Sequence, residues 1–397
     1  MLDFSVSMHY SPLSVAFYVS LGLVGMFCIY NAKMGESQTC KEAPCRNKYL
    51  FAWWFVWVFL AVFRFVNFQV GGSDAPTYID YFKNCNGATV KSWYEHVNAD
   101  LGFKWITKSI RFITAEYKVY FLALYGFMAF AYIGFIKKFT PLKTNFVPFV
   151  LVFFLFLRSY NTIRSNFAIA LIMSSCVFIA EKKWKWAYLI ALSSLFIHKS
   201  SVLYAMVIPF CHYFSDRKLS VKTAILLVLG ASVIGRSLQS IFLTYANTTD
   251  LNGAYESYAS HSIGVSFFEN AWKIAFEQIA LAVMMLLMRK RIGNNHEIQN
   301  VLRLKAIWTI CIFDFICIPM NFIMGSWRGY EYFYLARVVM WGECLYQLTN
   351  SMSLSTRKIC NVILLIVFVS WMVFRINATW EDSRLLPYIF EPILWVR

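Results

Sequence analysis

Charge is what this chain has least of. Only 15% of its 397 residues are Asp, Glu, Lys or Arg, against about 25% in an average soluble domain. Acids are the scarcer sign, with 21 Asp and Glu against 37 Lys and Arg. Also missing are the phosphate loop Gly-x-x-x-x-Gly-Lys-Ser/Thr, a dinucleotide-binding glycine run, His-Glu-x-x-His, Gly-x-Ser-x-Gly and Asp-x-Asp. Their absence disfavours a cytoplasmic enzyme that uses ATP or nucleotide sugars. The ten cysteines form no Cys-x-x-Cys pair and no zinc spacing. Most lie in apolar runs, where Cys behaves as a small hydrophobe. Cys40 and Cys45 share a loop placed below in the cytoplasm, where disulfides do not persist. Neither a metal nor a cofactor is expected. Met1–Pro12 lacks the basic region and cleavage site of a signal peptide, so the first apolar segment is expected to stay as a span.

Apolar residues take the place of charge: 59% of the chain is hydrophobic and 19% aromatic. Runs such as Ala224–Ile234, Ile279–Met288 and Val362–Phe374 lie in segments near the roughly 20 residues that a bilayer-spanning helix needs. They show none of the alternation of barrel strands. The expected fold class is all-α, a polytopic integral membrane protein forming a single membrane-embedded domain over residues 1–397. About twelve segments read as membrane helices, at 13–31, 48–68, 118–136, 144–157, 162–180, 184–197, 201–214, 221–245, 269–288, 301–324, 333–350 and 358–376.

In a soluble protein the net charge of +16 would point to nucleic acid. Here the cations gather in every second loop: Lys33, Lys41, Arg46 and Lys48; Lys137, Lys138 and Lys143; Lys182, Lys183 and Lys185; Arg217, Lys218 and Lys222; Arg289, Lys290 and Arg291; Arg357 and Lys358. The positive-inside rule makes those loops cytoplasmic and turns both termini outward. No nucleic-acid partner is expected.

Two stretches depart from simple spans. Segments 184–197 and 201–214 are short and are interrupted by His198-Lys199-Ser200-Ser201, so two helices are expected to break at His198 and line a cavity. In the long outer loop 69–117, Leu101–Thr114 alternates apolar and basic residues like an amphipathic helix lying on the membrane surface. A second outer loop, 246–268, is rich in Tyr, Ser and Asn.

The outer loops hold four polar clusters, and polar groups are costly at membrane depth. The first is Gly71-Gly72-Ser73-Asp74 with Tyr78 and Tyr81 and, just before it within a span, Arg64. Glycines there permit positive φ and close backbone approach. Asp74 either orients or deprotonates a hydroxyl, or pairs with an arginine such as Arg64. The second is Arg158-Ser159-Tyr160-Asn161 with Arg164 and Asn166. Guanidinium forks bind phosphate bidentately and stay charged; the plainer reading is an outer hairpin with snorkelling arginines. The third is His198-Lys199-Ser200, an imidazole in the range for proton transfer beside a cation. The fourth is Trp327-Arg328-Gly329-Tyr330-Glu331 with Arg337 further on. Its tyrosines fit an interfacial aromatic belt, while Arg328, Glu331 and Arg337 read as a charged network. Asp314, Glu277, Arg236 and Glu343 also lie within spans and read as structural pairs.

At these clusters the chain resembles the EpsG branch of the Wzy-type polysaccharide polymerases. The matching features are Gly71-Gly72-Ser73-Asp74-Ala75-Pro76-Thr77-Tyr78, Leu101-Gly102-Phe103, Ser159 through Ala168, Phe196-Ile197-His198-Lys199-Ser200 and a late segment rich in Arg and Tyr. Ser165 stands where the family commonly has Gln. The resemblance implies a membrane glycosyltransferase that joins oligosaccharide repeat units carried on undecaprenyl diphosphate, at the outer face of a bacterial cytoplasmic (inner) membrane. It implies membrane lipid, the lipid-linked oligosaccharide and a chain-length regulator protein as partners. Asp74, His198 and Arg164 are then the candidate catalytic residues. Arg64, Ser73, Tyr78, Arg158, Asn161, Lys199, Arg328, Tyr330, Glu331 and Arg337 are the candidate diphosphate- and sugar-binding residues. An O-antigen ligase and a flippase or other transporter remain alternative readings, and a membrane O-acetyltransferase is a third.

Overall fold

The computed structural model describes residues 9–37, 44–85, 100–217, 219–231, 233, 266–293, 298–323 and 327–391. All regular elements among them are helices, and the one strand-like feature is an isolated bridge between Arg64 and Phe390. Helices α1 (Pro12–Ser37) and α2 (Pro44–Val62) precede a short helix, α3 (Ala75–Asn84), and the amphipathic α4 (Leu101–Ile113). Next come α5 (Tyr117–Phe139), a 3-10 turn (Val147–Leu151) running into α6 (Val152–Ser159), α7 (Ile163–Ile179) and α8 (Trp184–Ile197). After them follow α9 (Val202–Ala205), α10 (Val207–Phe214) and α11 (Val221–Ala231). The chain closes with α12 (Ser266–Gly293), α13 (Ile298–Ile323), α14 (Tyr334–Thr349) and α15 (Leu354–Ser383).

Most of the apolar runs thus become helices among the described residues. Among the described residues three helices are long and apolar enough to cross a membrane: Pro12–Lys33, Tyr117–Phe139 and Leu354–Thr379. Others are shorter or broken. The expected segment 221–245 is described through residue 231 and at 233, and the second outer loop lies outside the described residues up to residue 265. Helices α6, α7 and α14 are buried along most of their length and form the centre of the bundle. Aromatic rings fill that centre, as where Trp57 stacks on Phe156 with ring centroids 4.3 Å apart.

The break at His198 is present. Helix α8 stops at Ile197, His198 is extended (φ −154°, ψ 107°), and a 3-10 turn over Lys199–Ser201 restarts the helix. Local bonds satisfy the broken backbone: His198 N–H donates to the Ser194 carbonyl at 2.9 Å, and the Ser194 and Ser201 hydroxyls meet at 2.9 Å. The amphipathic helix α4 is also present. It buries Phe103, Lys104 and Thr107 and exposes Leu101, Trp105, Phe112 and Ile113. Gly102 presses α4 onto the end of α8: a Cβ there would stand 2.7 Å from the Phe196 carbonyl oxygen.

Contacts sort the loops to two ends of the bundle. At one end Lys33 donates to the Lys137 carbonyl (2.9 Å), Lys138 pairs with Glu181 (2.6 Å), Lys182 pairs with Asp216 (3.0 Å), and Arg303 donates to the Lys138 and Thr140 carbonyls. The polar clusters meet at the other end. The segment after α15 lies there too: Gly72 and Ser73 N–H donate to the Arg384 and Ser383 carbonyls (3.2 Å each), and Glu391 N–H donates to Phe63 (2.8 Å).

Candidate functional site

The glycine loop supplies the first wall. Gly71 and Gly72 have φ of +86° and +110°, the region that disfavours side chains. A Cβ on Gly72 would sit 2.4 Å from the Tyr160 carbonyl oxygen, so the loop lies directly on the turn between α6 and α7. Asn161 in that turn is the joint. Its Oδ1 accepts from Ser73 Oγ at 2.6 Å and from the Asp74 N–H at 3.1 Å. Asp74 occupies the N-cap position of α3, yet its carboxylate makes no cap bond, although Asp is a favoured cap. Ser73 Oγ lies 3.5 Å from Asp74 Oδ1 instead. Tyr78 is buried with its ring edge-on to Phe103 at 5.4 Å, which packs α3 against α4.

Arg64 does not pair with Asp74. It is 2% exposed, and its donors reach the Gly71 carbonyl (2.8 Å), the Tyr125 hydroxyl (2.8 Å), the Tyr160 carbonyl (3.1 Å) and the Ala61 carbonyl. The guanidinium also faces the rings of Phe121, Tyr125 and Tyr160. It fastens the glycine loop to the α6–α7 turn from beneath, and its position has a structural reason that the sequence did not show.

The second wall is organised by Asp100, which sequence reasoning passed over. Residue 100 precedes α4, and one of its oxygens, Oδ2, faces three partners: Arg164 Nη1 at 3.8 Å, His198 Nδ1 at 3.6 Å and the Lys199 N–H at 3.4 Å. Burial pushes the Asp100 carboxyl pKa up, but the bond with His198 and the charges of Arg164 and His198 outweigh it, so the carboxyl lies below its ordinary value. Tyr81 joins the same space. Its hydroxyl pKa is raised by burial, lowered by Arg164 and raised by Asp74. Arg164, Asp100 and His198 keep side-chain exposures of 18%, 13% and 15%, so they line a surface that a ligand can reach. Lys199 is exposed.

A third group completes this end. Arg158 Nε donates to Glu331 Oε1 at 2.8 Å, and Glu331 Oε2 accepts from Asn166 Nδ2 at 3.5 Å. Tyr132 Oη donates to Asn166 Oδ1 at 3.0 Å. Among the described residues no partner takes the two Nη nitrogens of Arg158, which leaves an arginine held by one edge with the other edge available. The Arg328 side chain lies outside the described residues.

Arg337 belongs elsewhere. Its partners among the described residues are not Glu331 but Asp314 Oδ2 at 2.8 Å, Glu277 Oε1 at 3.4 Å and the Tyr330 carbonyl. Arg337 is 1% exposed, and Arg375 approaches the same Glu277 at 3.7 Å. Gln278 and Trp371 donate to Asp314 and Glu277 at 3.0 Å each. The structural pairing expected for Asp314 and Glu277 is therefore present, with Arg337 as the shared cation. Glu343 instead accepts from Gln347 at 2.9 Å, and Arg236 lies outside the described residues. Tyr330 is buried and gives its carbonyl to Arg337.

The structure thus brings Ser73, Asp74, Asn161, Arg164, His198 and Lys199 into one surface, with Arg158 and Glu331 beside it. Arg64 and Tyr78 lie behind that surface, and Arg337 sits in a separate buried cluster. Only the acid before an amphipathic stretch signalled Asp100 in the sequence, and such an acid is an ordinary helix N-cap. No curated protein and no solved structure matches the chain. A model of the EpsG family matches residues 52–390, which takes in the glycine loop, α4, the α6–α7 turn, the break at His198 and the Arg337 cluster. The chain is a membrane protein of the EpsG family, a family of Wzy-like polymerases.

Proposed function

We propose that this protein polymerises polysaccharide repeat units carried on a polyprenyl diphosphate such as undecaprenyl diphosphate. In this reading the chain crosses the cytoplasmic membrane about twelve times, with the lysine-rich end inside and the polar end outside. The observation that carries it is the meeting at Asp100 of a reachable arginine, an imidazole and the backbone N–H of an exposed lysine, on the same end as Asp74 and Arg158. Cations at a membrane surface suit a diphosphate, and a carboxylate behind an imidazole suits proton removal.

The chemistry follows. A hydroxyl of the acceptor's non-reducing-end sugar attacks the anomeric carbon of the donor chain. The new C–O bond forms as the bond from that carbon to the diphosphate breaks, and polyprenyl diphosphate leaves with the electron pair. Arg164, Lys199 and the Nη edge of Arg158 stabilise the charge that grows on the leaving oxygen. His198 accepts the hydroxyl proton through Nε2, because Asp100 faces Nδ1 and holds the ring. Asp74, Ser73 and Asn161 orient sugar hydroxyls. Asp100 is a positioning residue throughout.

The test is the lipopolysaccharide or capsule banding pattern of a strain deleted for this chain. Collapse to a carrier bearing a single repeat unit supports polymerase. Loss of that single unit as well would point to a ligase or flippase, and an intact ladder of altered mobility would point to a modifying transferase.

A further inference from the structure

The glycine loop that carries Ser73 and Asp74 is held from a side that the mechanism above does not use. Residues 383–391, which follow α15, run antiparallel to the chain just before the loop. Phe65 N–H donates to the Ile389 carbonyl and Glu391 N–H to the Phe63 carbonyl, each at 2.8 Å, around the bridge between Arg64 and Phe390. Buried Leu385 and Leu386 root this segment in the bundle. The Tyr18 hydroxyl donates to the Leu385 carbonyl at 2.8 Å, and Tyr388 Oη donates to the Leu60 carbonyl at 3.0 Å. Backbone and side chains both fasten the segment, so it forms a fixed edge beside the loop.

Arg384 is where that edge meets the loop. Its carbonyl accepts from the Gly72 N–H, and the neighbouring Ser383 carbonyl accepts from the Ser73 N–H, each at 3.2 Å. Its guanidinium reaches back along the loop, with Nη1 donating to the Phe68 carbonyl. One residue thus holds residues 68 and 72 together, while Arg64 takes the Gly71 carbonyl between them from beneath at 2.8 Å. With Ser73 N–H on Ser383, and Ser73 Oγ and Asp74 N–H on Asn161, the place of the Asp74 backbone follows from this hold. The Arg384 backbone is a second, independent observation. Its φ is +52°, a region that only Lys182 shares among the described non-glycine residues. A side chain is strained there, and glycine adopts it freely. Such strain persists where the surroundings over-determine the backbone, and it gathers at functional sites. What an arginine has at this position that glycine lacks is the bond to Phe68.

We propose that Arg384 is a positioning residue of the site: by joining Phe68 to Gly72 it sets the glycine loop, and through the loop the place where Ser73 and Asp74 meet the sugar hydroxyls of the lipid-linked repeat unit. This rests on the function proposed above and gives a part in it to the segment after α15, whose Arg384 stands 316 residues from Phe68. Arg384 does not touch the substrate and acts only through the loop.

The experiment uses the full-length protein in phospholipid vesicles, with two readouts. Amide hydrogen exchange is followed in peptides covering residues 66–74, and turnover is measured with purified lipid-linked repeat units. Arg384→Ala loses the bond to Phe68 and should speed exchange at Gly72 and Ser73 about tenfold, the scale of one hydrogen bond. Chain extension should fall about tenfold to a hundredfold, through kcat more than KM, as for a misplaced orienting group. Arg384→Gly should lose the same activity yet unfold no earlier than Arg384→Ala, because glycine accepts the φ of +52°. Arg384→Lys keeps a donor and should restore part of both readouts. Combined with Asp74→Ala, Arg384→Ala should add little further loss, because the two act at one place. Unchanged exchange or unchanged turnover in Arg384→Ala would each overturn the proposal. Losses that multiply in the double variant would overturn it too, since Arg384 would then act on its own. An activity loss in Arg384→Gly matched by an equal loss of protein from the membrane would make the role structural only and would also overturn it. Faster exchange in Arg384→Ala, beside a wild type that builds no chain, would leave the hold on the loop standing and remove the polymerase reading.

Discussion

Two arginines in neighbouring regions show how the same side chain serves two ends. Arg337 is sealed among α12, α13, α14 and α15, where two arginines face two carboxylates and exposures fall between 0% and 8%. Arg164 stands at the polar end with Asp100 at 3.8 Å and 18% of its side chain exposed. The first region is closed, and the second keeps a surface that a ligand can reach. A closed, balanced network holds helices together, and opening it leaves buried charges uncompensated. An arginine at a reachable surface is placed to meet an incoming anion. Position in the sequence does not separate the two, since both arginines follow a polar outer loop.

The largest expected effect lies in the closed region. Arg337→Met leaves Asp314 and Glu277 buried without their shared cation and should destabilise the protein by about 3–5 kcal/mol. The check is thermal unfolding in detergent together with the amount of protein in the membrane. Adding Asp314→Leu should recover much of that loss, because a pair replaced by apolar groups costs far less than one left broken. A double variant no better than the single would show that Arg337 does more than hold helices.

Arg164→Ala is the counterpart. Its unfolding temperature should stay near wild type, while chain extension falls about a hundredfold or more, as for loss of one transition-state donor. Polymer length on a gel, normalised to membrane protein, reads this directly.

Asp100→Asn tests the link between Arg164 and His198. The rate should fall about tenfold to a hundredfold through kcat, since a misplaced base loses its near-attack geometry. The pH profile adds a signature. The folded Asp100 pKa is depressed below the ordinary value near ~3.9, so its contribution is present above that value and is lost as pH falls through the folded one. Wild type should therefore lose activity in strong acid with one ionisation that Asp100→Asn lacks.

Gly72→Ala should have a smaller effect, about 1–3 kcal/mol of strain, from φ of +110° and from the Tyr160 carbonyl oxygen 2.4 Å from the new Cβ. It should reduce activity more than stability, because the loop it displaces carries Ser73 and Asp74. At the opposite end, Lys182→Ala removes an exposed pair with Asp216 and should leave chain length unchanged.

What was legible in the sequence follows from which forces are local. Apolar runs mark helices because burial is read residue by residue, and the break at His198 was visible because two short runs flank a polar tetrad. The alternation of basic loops separated the two ends, and the contacts of Lys138 with Glu181 and of Ser73 with Asn161 fall on opposite sides as that alternation requires. Contacts across long separations were not legible. Asp100 reaches residues 164 and 198 only after α4 folds onto α8, and Arg337 finds Glu277 sixty residues upstream. Arg64 reads as a site residue until its backbone partners are seen. The segment after α15, which bonds to the glycine loop, shows in the sequence only as a short tail.

The most direct test of the central claim is reconstitution. Purified protein in vesicles would receive lipid-linked repeat units alone, with no ligase acceptor and no other enzyme, and products would be resolved by length. The account predicts lipid-linked chains of two or more units with release of free polyprenyl diphosphate, and neither product from Arg164→Ala. Wild-type protein that leaves the units unjoined, or an Arg164→Ala protein that builds the full ladder, would contradict it.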